Sequence, residues 1–263
     1  MQEDELGQCC ADFYNHPVVR HLLDGIFHPG GVALTKMMAQ KMGLGQESNV
    51  LDIACGDGMS ACFLAKTLSC HITGIDVGTE MVEKAKQRAL TLGVSELTAF
   101  HVSVASKLPF PTGCFSAVYS ECALCTFPNK DTAVEEIMRV LKNDGVIGIS
   151  DVVISDYSQL DADLKDLFGY VACIAGALSS EDYIQLFESA GCRLVDTSNH
   201  SEQLEIMANR AVGKAKMSLR ISSNNAETKE KYKTALNLLD KILIQIEEGV
   251  IGYQVFIFEK ISF

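Results

Sequence analysis

Val50-Leu51-Asp52-Ile53-Ala54-Cys55-Gly56-Asp57-Gly58 is the stretch whose reading decides the fold. Asn49 to Ile53 is a short apolar run of the kind that forms a parallel strand buried on both faces. It stops at a small turn, Ala54 to Gly58, and a helical pattern from Met59 to Leu68 follows. Strand, glycine turn and helix together are how an open α/β sheet presents a nucleotide site at the carboxyl ends of its strands. Gly56 and Gly58 carry no Cβ, so backbone and ligand can approach closely. Ile72-Thr73-Gly74-Ile75-Asp76 reads as a second strand ending in an acid, 24 residues after Asp52. An acid at that place can take both hydroxyls of a ribose. The same turn also suits a Rossmann-type NAD site, but the Gly-x-Gly-x-x-Gly spacing is absent and nothing elsewhere points to hydride chemistry.

Outward from this stretch the pattern alternates. Strands are expected near 49–53, 71–75, 97–102, 115–120, 145–154, 192–198 and 252–260, with helices at 59–68, 79–92, 130–142 and 180–190 between most of them. Alternation of this kind predicts an α/β fold built on a doubly wound, mostly parallel, seven-stranded sheet. Thr79 is a candidate helix cap, and Gly93 and Gly191 suit helix exits. Before the sheet, one helix is expected within residues 2–25, with Phe13, Val18, Leu22 and Leu23 on its buried side, and a second over Leu34 to Met42. His28-Pro29-Gly30-Gly31 separates them. Two insertions stand out, 156–178 and 200–249. The second is mostly helical, with Leu236, Leu239, Leu243 and Ile246 in one stripe and polar Ser222-Ser223-Asn224-Asn225 interrupting it. The expected division is an N-terminal helical cap, 1–46, and a domain of residues 47–263 that carries the 200–249 insertion.

Composition narrows the partners. The chain of 263 residues has a net charge of -12 and a pI of about 4.9. Such a surface repels phosphate backbones, so nucleic acid is disfavoured as a partner and small molecules are favoured. No apolar run approaches the ~20 residues of a membrane span. The N-terminus Met1-Gln2-Glu3-Asp4-Glu5 is acidic and has no signal-like apolar core, which gives a cytoplasmic expectation. Ten cysteines without a secretory signal read as free thiols. Cys62, Cys70 and Cys192 sit in apolar patterns that imply simple burial. Oligomeric state is not legible.

Asp52 to Gly58, Asp76, and the later Leu108-Pro109-Phe110-Pro111 followed by Phe115-Ser116-Ala117-Val118 resemble the class I S-adenosylmethionine-dependent methyltransferases. The resemblance covers roughly residues 47–195. It implies that the last strand runs antiparallel beside the fifth. It also implies S-adenosylmethionine as cofactor, with Asp52 beneath its amino-acid end. Ala54, Cys55, Gly56 and Gly58 would wall its methionine and ribose, Asp76 would take the ribose hydroxyls, and Val77 would lie against adenine. Val104 and Ala105 flank the adenine position. One departure is Val104, which stands where the family places an acid toward the adenine amine, and valine accepts no hydrogen bond. Ser103 or a backbone carbonyl is the candidate replacement.

The segment after the fourth strand, Ser120-Glu121-Cys122-Ala123-Leu124-Cys125-Thr126-Phe127-Pro128, faces the methyl in this family. It lacks an Asn-Pro-Pro-Tyr-like pattern, which disfavours amide-nitrogen methylation. Ser120-Glu121-Cys122, Pro128-Asn129-Lys130 and Ala172-Cys173-Ile174-Ala175-Gly176-Ala177-Leu178 are similar to segments of the arsenite methyltransferases. That resemblance implies Cys122 and Cys173 as thiolate ligands of a trivalent arsenical substrate, a soft centre that suits thiolate. A further family cysteine ahead of the first strand is replaced here by His28-Pro29-Gly30-Gly31. Cys9, Cys10, Cys125 or an external thiol such as glutathione are the candidates for a third ligand. The alternatives are another small apolar acceptor, quinone- or sterol-like, with Glu121 as base, or a non-catalytic cofactor-binding relative. Glu121 is also expected to border the cofactor, and His28 to contact substrate.

Overall fold

A computed structural model of the chain describes residues 9–10, 12–166, 169, 172–221 and 226–261. Seven strands form one sheet: β1 (Asn49–Ile53), β2 (His71–Asp76), β3 (Thr98–Val102), β4 (Phe115–Glu121), β5 (Leu141–Ile154), β6 (Cys192–Asn199) and β7 (Ile251–Lys260). Their order is β3-β2-β1-β4-β5-β7-β6. β1 to β5 run parallel, and β7 enters antiparallel between β5 and β6. The expected doubly wound sheet and the antiparallel last strand are therefore both present. The chain order reverses at β1, which pairs with β2 on one side and β4 on the other. Ligands bind in the crevice above such a switch point.

The flanking helices are α1 (Pro17–Leu23), α2 (Gly31–Lys41), α3 (Met59–Leu68), α4 (Thr79–Leu92), α5 (Lys130–Val140), α6 (Ser180–Ser189), α7 (Ser201–Ile221) and α8 (Ala226–Glu247). Where bounds differ from the sequence reading, local chemistry accounts for it. The helix expected through residues 2–25 is broken at His16, whose side chain caps α1 while Pro17 takes its first turn, where a missing N–H costs nothing. The residues before Cys9 lie outside the described ones. α4 starts one residue earlier than a Thr79 cap requires, because Gly78 is its N-cap and gives its amide to Asp76 Oδ1 at 2.8 Å. Ser179 caps α6 by accepting from Asp182 N at 3.0 Å. Gly93 closes α4 at φ 69°, and Gly191 follows α6 at φ 93°, both left-handed as their glycines allow.

Two apolar layers sandwich the sheet. One joins Met38 of α2 and Met42 at its C-cap to Leu64 of α3, Ala85 of α4 and Tyr253 of β7. The other joins α5 and α6 to the opposite face, where Phe187 stacks on Phe258 at 4.6 Å. Each buried aromatic of this kind contributes about 1.5–3 kcal/mol. α1 packs on α7 and α8 through Leu22, Ala211, Ala215 and Tyr232. Ile246 of the α8 stripe is buried, Leu236 and Leu239 are half-buried against this third cluster, and Ser222 to Asn225 lie outside the described residues.

Gly58 sets the distance between α3 and α4. It adopts φ 74°, and a Cβ there would meet the Ala85 Cβ at 2.7 Å and the Phe100 ring at 3.2 Å. Gly58→Ala is expected to lower stability by about 2–4 kcal/mol, combining left-handed strain with overpacking. The urea midpoint of the variant without added ligand measures this.

Candidate active site

The turn after β1 is shaped by left-handed residues: Ala54 at φ 61°, Gly56 at φ 54° and Gly58 at φ 74°. Asp76, at the end of β2, ties this turn to the next. Its Oδ2 accepts Gly56 N at 2.9 Å and its Oδ1 accepts Gly78 N at 2.8 Å. An ionised carboxylate has about four acceptor positions, so this arrangement leaves roughly two for hydroxyls in the cleft. Beside it lie Val77, Ser103, Val104 and Ala105. Ser103 donates to Lys107 O at 3.3 Å, which leaves its oxygen lone pairs available. A Cβ on Gly56 would meet only Phe27, at 4.0 Å, so the cradle is open where a ligand would pass.

Gly56, Asp76, Val77, Ser103, Val104 and Ala105 line one cleft of about 1180 Å³, its open mouth included, together with Asp52, Ala54, Cys55, Glu121 and Cys122, whereas Gly58, expected at the cofactor wall, lies behind it against Ala85 and Phe100. Asp52 is 2% exposed and accepts the Tyr119 hydroxyl at 2.8 Å. Burial drives its pKa well above the ordinary carboxylate range, against that hydrogen bond. Glu121 ends β4 with its side chain buried. Thr35 Oγ1 lies 3.0 and 3.1 Å from its two oxygens, and His28 Nε2 lies 3.6 Å away. His28 is buried and lines the cleft, also within 3.3 Å of Ser60 Oγ. Its Nδ1 has no hydrogen-bond partner among the described residues.

The cysteines converge beyond Glu121. Cys122 and Cys173, 51 positions apart, both adopt left-handed backbone, φ 54° and 66°. Such conformations cost of order 1–3 kcal/mol each in a non-glycine residue and cluster at functional sites. Cys173 is 1% exposed, and its sulfur lies 3.1 Å from the Cys122 carbonyl oxygen and 3.3 Å from the Tyr14 hydroxyl. The thiols of Cys122 and Cys125 lie within hydrogen-bonding reach of the same sulfur. When protonated, Cys173 donates to the Cys122 carbonyl. When ionised, it accepts from Cys122, Cys125 and Tyr14, and these donors hold its pKa well below the usual thiol value despite burial. Cys122 and Cys125 are driven the other way, Cys122 first by donating to Cys173 and Cys125 first by burial. Cys10 lines the cleft as well, and burial pushes its thiol up to about 12. Cys9 does not line the cleft. No group of three His, Cys, Asp or Glu side chains among the described residues forms a ready-made metal cage.

Several site residues had no legible signal. Tyr14 meets Cys173 across 159 positions. Thr35 reaches Glu121 across 86. Asp151, fully buried on β5, accepts the amide of Cys125 at 2.8 Å and stands behind the thiols. Burial, then the Cys173 charge, raises its pKa to about 7.

A parallel sheet with a glycine turn, a strand-end acid and a cleft over the switch point defines a nucleotide-cofactor α/β protein. The chain belongs to the methyltransferase-domain family, whose model matches residues 44–191, more than half its length. The methyl donor of that family is S-adenosylmethionine. An uncharacterised protein of Haemophilus influenzae is 29% identical over 75% of this chain and 76% of its own length. The arsenite methyltransferase of Halobacterium salinarum is 27% identical over 77% of this chain. The match spans only 54% of that enzyme. Among solved structures, the [4+2]-cyclase SpnF superimposes with a TM-score of 0.81 at 22% identity, covering 100% of this chain and 98% of its own. It shares the fold. No helix among the described residues is long and apolar enough to cross a membrane.

The raised pKa of Asp151 has a thermodynamic consequence. Between its unfolded value near 3.8 and its folded value near 7 the native state holds a proton that the unfolded state has lost. This group therefore favours folding most at low pH, and its contribution falls as pH rises through that window, flattening above 7. Asp151→Asn removes the titration. The stability of the variant relative to wild type is expected to improve by about 2–3 kcal/mol between pH 5 and pH 8. Urea unfolding at the two pH values checks it.

Proposed function

We propose that this small-molecule methyltransferase acts on trivalent arsenicals held as thiolates by Cys122 and Cys173, with Cys125 as third ligand. The observation that carries this reading is the meeting of the Cys122 and Cys125 thiols at the Cys173 sulfur, buried directly behind the cofactor cleft that Cys122 lines. The likeness to an arsenite methyltransferase over most of the chain supports it.

The residues present suit the donor. Asp76 would hold the ribose, and Ala54, Cys55 and Gly56 would wall the methionine and ribose, with Gly58 shaping the turn behind them. Val77, Val104 and Ala105 would flank adenine, with Ser103 the acceptor available where Val104 has none. Asp52 and Glu121 would lie toward the amino-acid end. When bound, S-adenosylmethionine supplies an electrophilic methyl on sulfonium.

The thiols act on the substrate. Each arsenic–sulfur bond forms from an arsenic hydroxide and a thiol with release of one water, so the site need not dispose of a net proton. Cys173, kept acidic by its donors, is the first to engage. Soft ligands hold the arsenic with its lone pair free. That pair is the nucleophile that would take the methyl, the carbon–sulfur pair staying with the donor sulfur, and arsenic would then pass formally from +3 to +5. Where the product returns to +3, two external thiols such as glutathione provide the electrons by becoming a disulfide. Alignment of acceptor and methyl is the main work of the protein. Glu121 is held by Thr35 and His28, which suits a structural acid better than a mobile base.

Asp76→Ala is expected to weaken S-adenosylmethionine binding on the order of 100-fold, from two charge-assisted hydrogen bonds lost. Calorimetry on the reduced protein reads this. Cys122→Ser and Cys173→Ser are expected to bring methylation of arsenite and methylarsenite to background while leaving that affinity unchanged. Wild-type turnover in either variant refutes the thiolate mechanism.

A further inference from the structure

A second, larger cavity lies on the far side of the thiols, about 1900 Å³ with its open mouth included. Its walls come from α1, α7 and α8 and from the ends of β5 and β7, and are almost wholly apolar, as in Leu22, Val152, Ile174, Leu204, Ala211 and Ile242. Cys122, Tyr14 and Phe27 line both this cavity and the cofactor cleft. The two spaces therefore meet at the thiol cluster. Charged side chains appear only where the cavity borders the start of α8, at Glu227, Glu230 and Lys231.

The space opens to solvent at that end, and apolar walls of this extent favour an occupant that takes their surface out of water. Inorganic arsenite would leave it unused. An apolar group attached to the arsenic would fill it while the arsenic sits among the thiols. Resting on the arsenical reading above, we infer that the preferred acceptor is an organic trivalent arsenical bearing a bulky apolar substituent, aryl or long alkyl, which occupies the chamber beneath α7 and α8. The transfer step is unchanged. The substituent takes no part in it and supplies binding energy that positions the arsenic.

The test compares arsenite with phenylarsenite as acceptors for wild-type protein, Ala211→Phe and Met207→Trp, by steady-state kinetics at saturating S-adenosylmethionine. Circular dichroism checks that each variant folds. Ala211 is 1% exposed and Met207 lies nearer the surface of the same wall, so the second variant covers a misfolding first. Burial of a phenyl group predicts a KM for phenylarsenite lower than for arsenite by about 10- to 100-fold. Filling the chamber in a folded variant should raise the phenylarsenite KM by at least about tenfold and leave arsenite within about twofold. Equal KM values for the two acceptors, or variants that slow both alike, would overturn the chamber assignment while keeping the thiolate reading. Turnover of neither acceptor by wild-type protein would overturn both.

Discussion

The carboxylate of Asp76 organises the cofactor end of the molecule. It draws the amide of Gly56 from the turn after β1 and the amide of Gly78 from the turn after β2. Two loops that no strand pairing joins are thereby held at one spacing. Gly58 then lets α3 approach α4 closely, since any side chain there would strike Ala85. The cleft is open at Gly56, where a Cβ is missing, and is held rigid by the partly buried carboxylate of Asp76. These features are available only at the switch point, where neighbouring strands hand their chains to opposite faces of the sheet.

The thiol end obeys a different constraint. Cys122 follows β4 directly and Cys173 lies in the long segment between β5 and α6, and both sit in left-handed backbone that glycine would adopt more cheaply. Retaining cysteine at both places costs stability and places two sulfurs side by side. Burial alone would make all these thiols weak acids, as it does Cys10 and Cys55. Cys173 escapes because Cys122, Cys125 and Tyr14 can all donate to it, so one sulfur of the cluster is far more acidic than the others. Asp151 behind them is raised in turn, first by its burial and then by the Cys173 charge that opposes its own.

The apolar chamber links this chemistry to the helical insertion. α7 and α8 bury Ala211 and Ala215 against α1, yet leave a hollow between that contact and the sheet. Small residues on α7 allow close helix contact at one level, and the larger ring of aliphatic side chains around the hollow faces inward at another. The insertion therefore does more than cover the sheet edge: it forms a wall of the space that adjoins Cys122.

Much of this was readable from residue order. Strand and helix alternation, the glycine turn, Asp76 and the antiparallel last strand follow from local periodicity, backbone freedom and family resemblance, which operate over a few neighbouring residues or a recognisable motif. The sheet order agrees with them. Local capping was less legible, since Thr79 yields the N-cap to Gly78 for the sake of the Asp76 contact. Long-range partners were not legible at all. Tyr14 with Cys173, Thr35 with Glu121 and Asp151 with Cys125 are side-chain or backbone contacts between elements far apart in the chain. No periodicity encodes such meetings, because they depend on how the packed layers bring helix, strand end and loop to one edge. Residue order by itself determined the class of fold and the motifs of the cofactor cleft. The tertiary structure alone decided which thiols meet, which of them is acidic, and that an apolar chamber opens beside them.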